Sequence, residues 1–584
     1  MPSKFFYISS LPLFLLLLGF LSQSNTTKQT QVPLRYSSFN ALCSGSLNDI
    51  YQLIDSITDR APLFDQMGSH NYRVHTISEQ AQKYFDQGLK LIYGFNHGEA
   101  CRSFKEAAKI DPYFAMAHWG IALALGPNIN DWIPSPEREQ EAFEALIKAE
   151  KLARGSGKEY NMITALQARH ADSSSIKRDS LNQAYMDAMQ QLAVKYPDDL
   201  EIQTLYADAI MNTMPWDYYH EDQTEKTLTS TTIAVLENVL NQNGLHPGAH
   251  HFYIHIVEAS SQPDRAVPSA EKLGTLIPAA GHLVHMPAHI YARVGRYEDA
   301  AESNRRAIVA DENYLAACQA QGIYPLGYYP HNIHFLWMAA TMSGQRDEAL
   351  DAAEKVADKI SPDMAVEDPS AQVFLSVPLQ AYVRFGLWNE ILTTPKPAMD
   401  LELCNMFWRH ARSIAFSKKN LLEKAKTELD SLHELIDRAT QKSDSLKQSN
   451  DPDTAYDMFT DLHQILLLIP EAELATAGNQ PETAIEKLQQ AVIHEDNLPY
   501  NEPPNWHHPV RQILGHVLMG VGNYAEAESI FREELTKNRD NGWSLFGLQG
   551  SLKKSGQTEA SAEAGKLFEK AWQHADFELE ASAY

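Results

Sequence analysis

Six residues between Gly88 and Pro112 constrain this chain more than any other feature of its 584 residues. Gly88, Leu91, Ala100, Phe104, Ala107 and Pro112 set small against large side chains at spacings that put them on the facing sides of two consecutive helices. Two antiparallel helices approach closely only where small residues meet, while the large ones plug the gaps between them. The pattern recurs with a period of about 34 residues. Copies occur at Gly295, Tyr297, Ala300 and Ala307, at Gly344, Ala349 and Ala353, and at Leu514, Gly515, Gly522, Tyr524, Ala527 and Phe531, and a further copy starts near Trp543. Helical but less regular stretches separate them, at 136–166, 180–211 and 416–446. No alternating run bounded by turn signals argues for a sheet. The expected fold class is all-α, a superhelix of antiparallel helix pairs.

The six positions are those at which a tetratricopeptide (TPR) repeat carries its glycine, alanines, aromatic and proline, so the chain resembles a TPR-like α-solenoid. The interruptions read as degenerate repeats that still stack over 130–205, and as inserted helices that fold over the groove at 212–290, where Pro and Gly are frequent. Ligands belong on the concave face that the first helix of each pair lines. The expected organisation is a signal peptide at 1–24, an extension at 25–75, N-terminal repeats at 76–211, His-rich central repeats at 212–345 and C-terminal repeats at 346–584.

Lys4, the apolar run Leu11–Leu21 and a small polar exit give residues 1–24 the layout of a secretory signal peptide, too short to span a bilayer. A secreted or periplasmic mature protein follows, with no membrane span after cleavage. The formal net charge of −26 argues against a nucleic-acid surface, which needs a surplus of Lys and Arg. The four cysteines, Cys43, Cys101, Cys318 and Cys404, show no CxxC spacing and do not form a zinc knuckle.

Histidine is the local anomaly. Seven of the 23 fall between His246 and His289, and His331 and His334 follow. Clustered imidazoles depress one another's pKa and each ring nitrogen needs a partner, so such a group points to something that binds it. His251 and His255 are four apart, as are His285 and His289, and His331 and His334 are three apart, so each pair shares a helix face. These six are the expected ligands of a transition metal, with His251, His255 and His289 converging on one ion and His331 or His334 completing the shell. Glu258 reads as a carboxylate ligand or an orienting acceptor, and His246, His250, His282, Tyr253, Tyr291 and Asn332 as supporting or pocket residues. Pro287 predicts a helix start at Met286 or Pro287, with His282 and His285 in the approach turn. His246, before Pro247-Gly248, has a second reading as a helix cap. His507 and His508, beside Trp506 and Arg511, read as a solvated loop, with closure of the ring of repeats over the same cavity as the second reading.

The blocks HPGAHHFYIHIVEAS (246–260), PAAGHLVHMPAHIYARVGRYEDA (278–300), YPHNIHFLWMAA (329–340) and NEPPNWHHPVRQILG (501–515) resemble a family of bacterial TPR proteins. The resemblance implies the fold and supplies no substrate.

Other motifs are weak. Gly155-Ser156-Gly157-Lys158 lacks the rest of a phosphate loop and reads as an inter-helix turn, and neither HExxH nor GxSxG is present. The leading expectation is an exported repeat protein with a metal site in its groove, acting by redox or Lewis-acid chemistry on a small molecule or peptide. Copper is favoured over zinc or iron by the location and by Met286. The alternative is a non-catalytic scaffold that binds a protein or peptide partner.

Overall fold

A computed structural model describes residues 60–584 apart from 154, 173–175, 221–222, 319–323 and 448–458, and gives no side chains for 443–447. The signal peptide, Cys43 and most of the extension lie outside the described residues, which fall in one compact unit.

Every regular element among the described residues is a helix; two isolated bridges, Asn128 with Asp131 and Tyr219 with Glu225, are all the strand-like pairing there. Successive helices pack as neighbours along the chain, as a TPR-like solenoid requires. The packing explains the sequence pattern. Phe104 lies between Gly88 and Gly120, where an added Cβ would come within 2.7 and 2.4 Å of its ring. Phe531 is wedged in the same way between Gly515 and Gly547, at 2.4 and 2.3 Å. Neither pair of glycines tolerates a side chain without moving a fully buried aromatic.

Two apolar cores result. One runs from Ala61 to Cys404, the other from Leu379 towards the C-terminus, and Trp543 and Leu579 return to the first. The end of the chain also contacts the middle. Trp543 Nε1 donates to the Thr341 carbonyl, and Asp576 accepts the amides of Arg346 and Asp347 at a helix N-terminus. The Gly155–Gly157 stretch is an inter-helix turn with both glycines at positive φ, as read from sequence. No helix among the described residues is long and apolar enough to cross a membrane.

Candidate metal centre

Five helices bring the histidines together. The Pro247–Glu258 helix carries His251 and His255; Pro247 suits its first turn, and His246 caps it by accepting the Ala249 amide at Nδ1. His282 and His285 lie on Gly281–His285, His289 on Pro287–Arg293, and His331 on Tyr329–Ser343. Tyr297–Cys318 supplies Asn304. The expected start at Pro287 is corrected: Pro287 opens a helix, but 281–285 is itself helical and Met286 joins the two in right-handed geometry. His285 therefore keeps its helical relation to His289.

The rings divide into two triads instead of meeting at one point. His251, His255 and His282 form one group and His285, His289 and His331 the other, each with ligand atoms within 4.8 Å of one another. The Nε2 atoms of His251 and His282 are 3.1 Å apart; His285 Nε2 is 2.8 Å from that of His289 and 3.1 Å from that of His331. Nitrogens bound to one ion at about 2.0–2.1 Å stand roughly 2.9–3.4 Å from each other, in octahedral or tetrahedral geometry. Every ring is less than a tenth exposed. They are buried inside the array and not presented on an open groove face.

Hydrogen bonds among the rings alone do not satisfy this arrangement. His285 Nδ1 is 2.7 Å from Asn304 Oδ1, so it donates there and leaves Nε2 with one in-plane lone pair facing two neighbouring nitrogens. Asn304 is itself fixed by donating to the Ala300 carbonyl. In the first triad His255 Nε2 has no partner, which in a buried site costs about 1–3 kcal/mol. A metal ion accepts several such lone pairs at once.

Glu258 joins the triads. Its Oε1 is 2.8 Å from His255 Nδ1 and its Oε2 is 2.5 Å from His289 Nδ1, so one fully buried carboxylate holds one ring from each group with Nε2 turned inward. Burial favours a neutral acid, yet His289 and His255 hold Glu258 down at about 2. Burial by itself depresses His289, but Glu258, aided by Glu502, raises it to about 10. His251, His282, His285 and His331 are pushed well below the usual histidine range by burial and then by their neighbours. Most of the cluster is thus neutral at pH 7, as metal ligation requires.

Aromatic rings cover each triad. Phe95 lies 4.6, 5.8 and 5.3 Å from the rings of His251, His255 and His282, and Phe335 lies 5.1, 5.0 and 5.9 Å from those of His285, His289 and His331. Phe95 takes φ of 52°, left-handed backbone that a bulky residue rarely adopts, in the turn between the Glu79–Tyr93 and His97–Ile110 helices.

The remaining sequence-selected residues do other work. His334 stands outside both triads, stacked on Trp337 and packed against His507. His250 joins the Ser269 hydroxyl and the Gly244 carbonyl. Tyr253 donates to Glu237, Tyr291 packs under the Arg296 guanidinium, and Asn332 donates to Asp311. His246 caps its helix and turns Nε2 towards Glu201. The loop expected to be solvated is folded inward, with Trp506, His507 and His508 all buried. It brings Glu502 Oε2 to 3.4 Å from His289 Nδ1, and Glu502 also lines a 520 Å³ pocket with Arg293, Met338, Tyr500 and Trp506. Glu502 and Asn304 were not selected from sequence; Glu502 lies inside a quoted block and Asn304 in a repeat helix, without a spacing that marks either. His282 belongs to a triad and not to its surroundings.

No protein-family model matches this chain. No curated protein matches it either. Among solved structures, the APC/C hetero-tetramer Cut9-Hcn1 aligns over 90% of this chain and 80% of its own at 12% identity with a TM-score of 0.31. The human IFIT1 dimer with m7Gppp-AAAA aligns over 79% and 90% at 13% identity, with a TM-score of 0.29. Likeness at this level carries no functional argument; the fold class rests on the chain's own helices and their packing.

Proposed function

We propose that this TPR-like protein is a metalloprotein of the exported class, whose two histidine triads each hold one transition-metal ion, copper in preference to zinc or iron. The observation that carries the reading is the pair of triads, with Nε2 atoms 3.1 Å apart for His251 and His282 and 2.8–3.1 Å apart around His285, and with one ring of each triad held by Glu258. Imidazole suits copper, zinc and iron, and the copper preference rests on its place in the affinity order and on the exported location read from the sequence. Six neutral ligands leave the ions' charge uncompensated, and Glu258 and Glu502 supply the nearest anions. The pocket beyond Glu502 gives a small molecule or peptide a route to the second triad, where the ion would act as Lewis acid or redox centre. The His-containing blocks would then mark a family of bacterial TPR proteins that share this centre.

Elemental analysis of protein purified without a His tag or chelating resin tests this. Near two equivalents of metal, and a lower Tm after chelation, are expected. Protein that is metal-free, and that neither copper, zinc nor iron stabilises, would sink the reading in favour of the scaffold.

A further inference from the structure

Arg384, the last residue of the Gln372–Arg384 helix, is 2% exposed, and its Nε, Nη1 and Nη2 all lack a hydrogen-bond partner. Its guanidinium lies flat on the Trp543 ring, 3.7 Å from the centroid, which supports one face of the cation and leaves the in-plane N–H groups unsatisfied. Burial lowers it only to about 9, so it stays charged at neutral pH. A buried cation without a counter-ion is among the costliest features a fold can hold.

The guanidinium lines a cavity of about 30 Å³, room for roughly two waters or one small polyatomic group. Other orphaned polar atoms share this lining: Thr341 Oγ1, both ring nitrogens of His507, and His508 Nε2. The charged groups nearby are otherwise engaged. Glu473, also in the lining, pairs with Lys418 at 2.8 Å, and Glu534, whose field reaches Arg384, accepts from Asn538. Trp337, Leu379, Phe407 and Ile414 make the remaining wall apolar.

We propose that this cavity is a binding site for a small monocarboxylate, its two oxygens taken by the in-plane N–H groups of Arg384 and its apolar part by the surrounding wall. The planar fork of a guanidinium matches a carboxylate in geometry as well as charge. One arginine balances one negative charge; a dianion such as phosphate would bring a second into an apolar wall beside Glu473. The site is separate from the histidine triads and stands whether or not they hold metal.

Trp337 and Trp506 line the cavity, so intrinsic fluorescence of the full-length protein reports occupancy. Formate and acetate, titrated at constant ionic strength, should give a saturable change and a Tm rise of a few degrees. Formamide, acetamide and phosphate should not. Arg384→Met should weaken carboxylate binding by about tenfold or more with metal content unchanged. Equal responses to the amides or phosphate, or undiminished binding in Arg384→Met, would overturn the site. Should Arg384→Met fail to fold, Thr341→Val and His507→Phe replace it. Each is expected to weaken acetate several-fold, and unchanged binding in both overturns the proposal.

Discussion

Glu258 and Glu201 are both fully buried carboxylates that each hold two histidines, and they differ in which ring nitrogen faces them. At Glu258 the partners are Nδ1 of His255 and Nδ1 of His289, so the Nε2 atoms are turned away towards the triads. At Glu201 they are Nε2 of His70, at 3.3 Å, and Nε2 of His246, at 3.5 Å. His246 spends its Nδ1 lone pair on the Ala249 amide, so the proton sits on Nε2 and is given to the carboxylate. Tyr93 adds a third donor to Glu201. His246 and Tyr93 satisfy Glu201 with protons, whereas the Glu258 group leaves the His255 Nε2 lone pair over. Proximity of His and Glu is thus no sign of a metal site until the tautomers are worked out.

Removing a ligand should have the largest effect. His255→Ala is expected to lose the ion of the first triad and His289→Ala that of the second, each leaving about one equivalent of the two. His246→Ala should leave both. Loss of metal from His246→Ala equal to that from His255→Ala would abolish the distinction between the two groups. A smaller effect is expected from Glu258→Gln, since an amide offers one oxygen where two N–H groups need acceptors. Metal affinity, measured by chelator competition, should fall by about 10–100-fold. Glu201→Gln should destabilise the fold and leave that affinity unchanged.

Acid separates the contributions further. His97, His334 and His410 lie outside both groups, and burial depresses them to about 3, 3 and 4 from an ordinary 6.5. The unfolded chain takes up protons that these folded rings refuse. Their contribution is therefore whole above about pH 6.5 and falls as pH drops, by about 1.4 kcal/mol per histidine per unit. The depressed carboxylates Glu201 and Glu258 begin to lose theirs only below their ordinary 4.5, as pH falls towards the folded values. In metal-stripped protein the urea midpoint should fall between pH 6.5 and 4.5, and His410→Gln should flatten that slope. A midpoint constant across this window would show that the rings are not buried neutral.

Much of the fold was legible because its determinants are local. Gly88 and Phe104 are part of one repeat, and the contact they make needs only the repeat's own two helices. The i,i+4 pairs were legible for the same reason, a single helix face. What could not be read was long-range: that Asn304 orients His285, that Glu502 folds back on His289, and that His70 and Glu201 meet His246. The proline in HMPAH concealed His282, since it predicted an irregular approach where the backbone stays helical on both sides of Met286. His251, His255 and His289 were expected at one ion with His331 or His334, because spacing gives pairs and cannot say how pairs combine. His334 shares a helix face with His331 but is taken up by Trp337 and His507, while His331 faces His285.

The smallest expected effect isolates what His246 does. As the cap of the Pro247–Glu258 helix it satisfies the Ala249 amide, and a lost side-chain cap typically costs about 1 kcal/mol. His246→Ala should lower the stability by that amount, plus whatever Glu201 loses as an acceptor left with His70 and Tyr93. His246→Asn restores a capping oxygen without restoring the N–H to Glu201, so it should recover the capping part alone. The difference between the two variants, read from urea unfolding of metal-stripped protein, measures the cap; the deficit remaining in Asn measures the bond to Glu201. If Asn is no better than Ala, the cap contributes nothing. If Asn instead lowers metal content, His246 reaches the metal centre and the contrast between the two carboxylates fails.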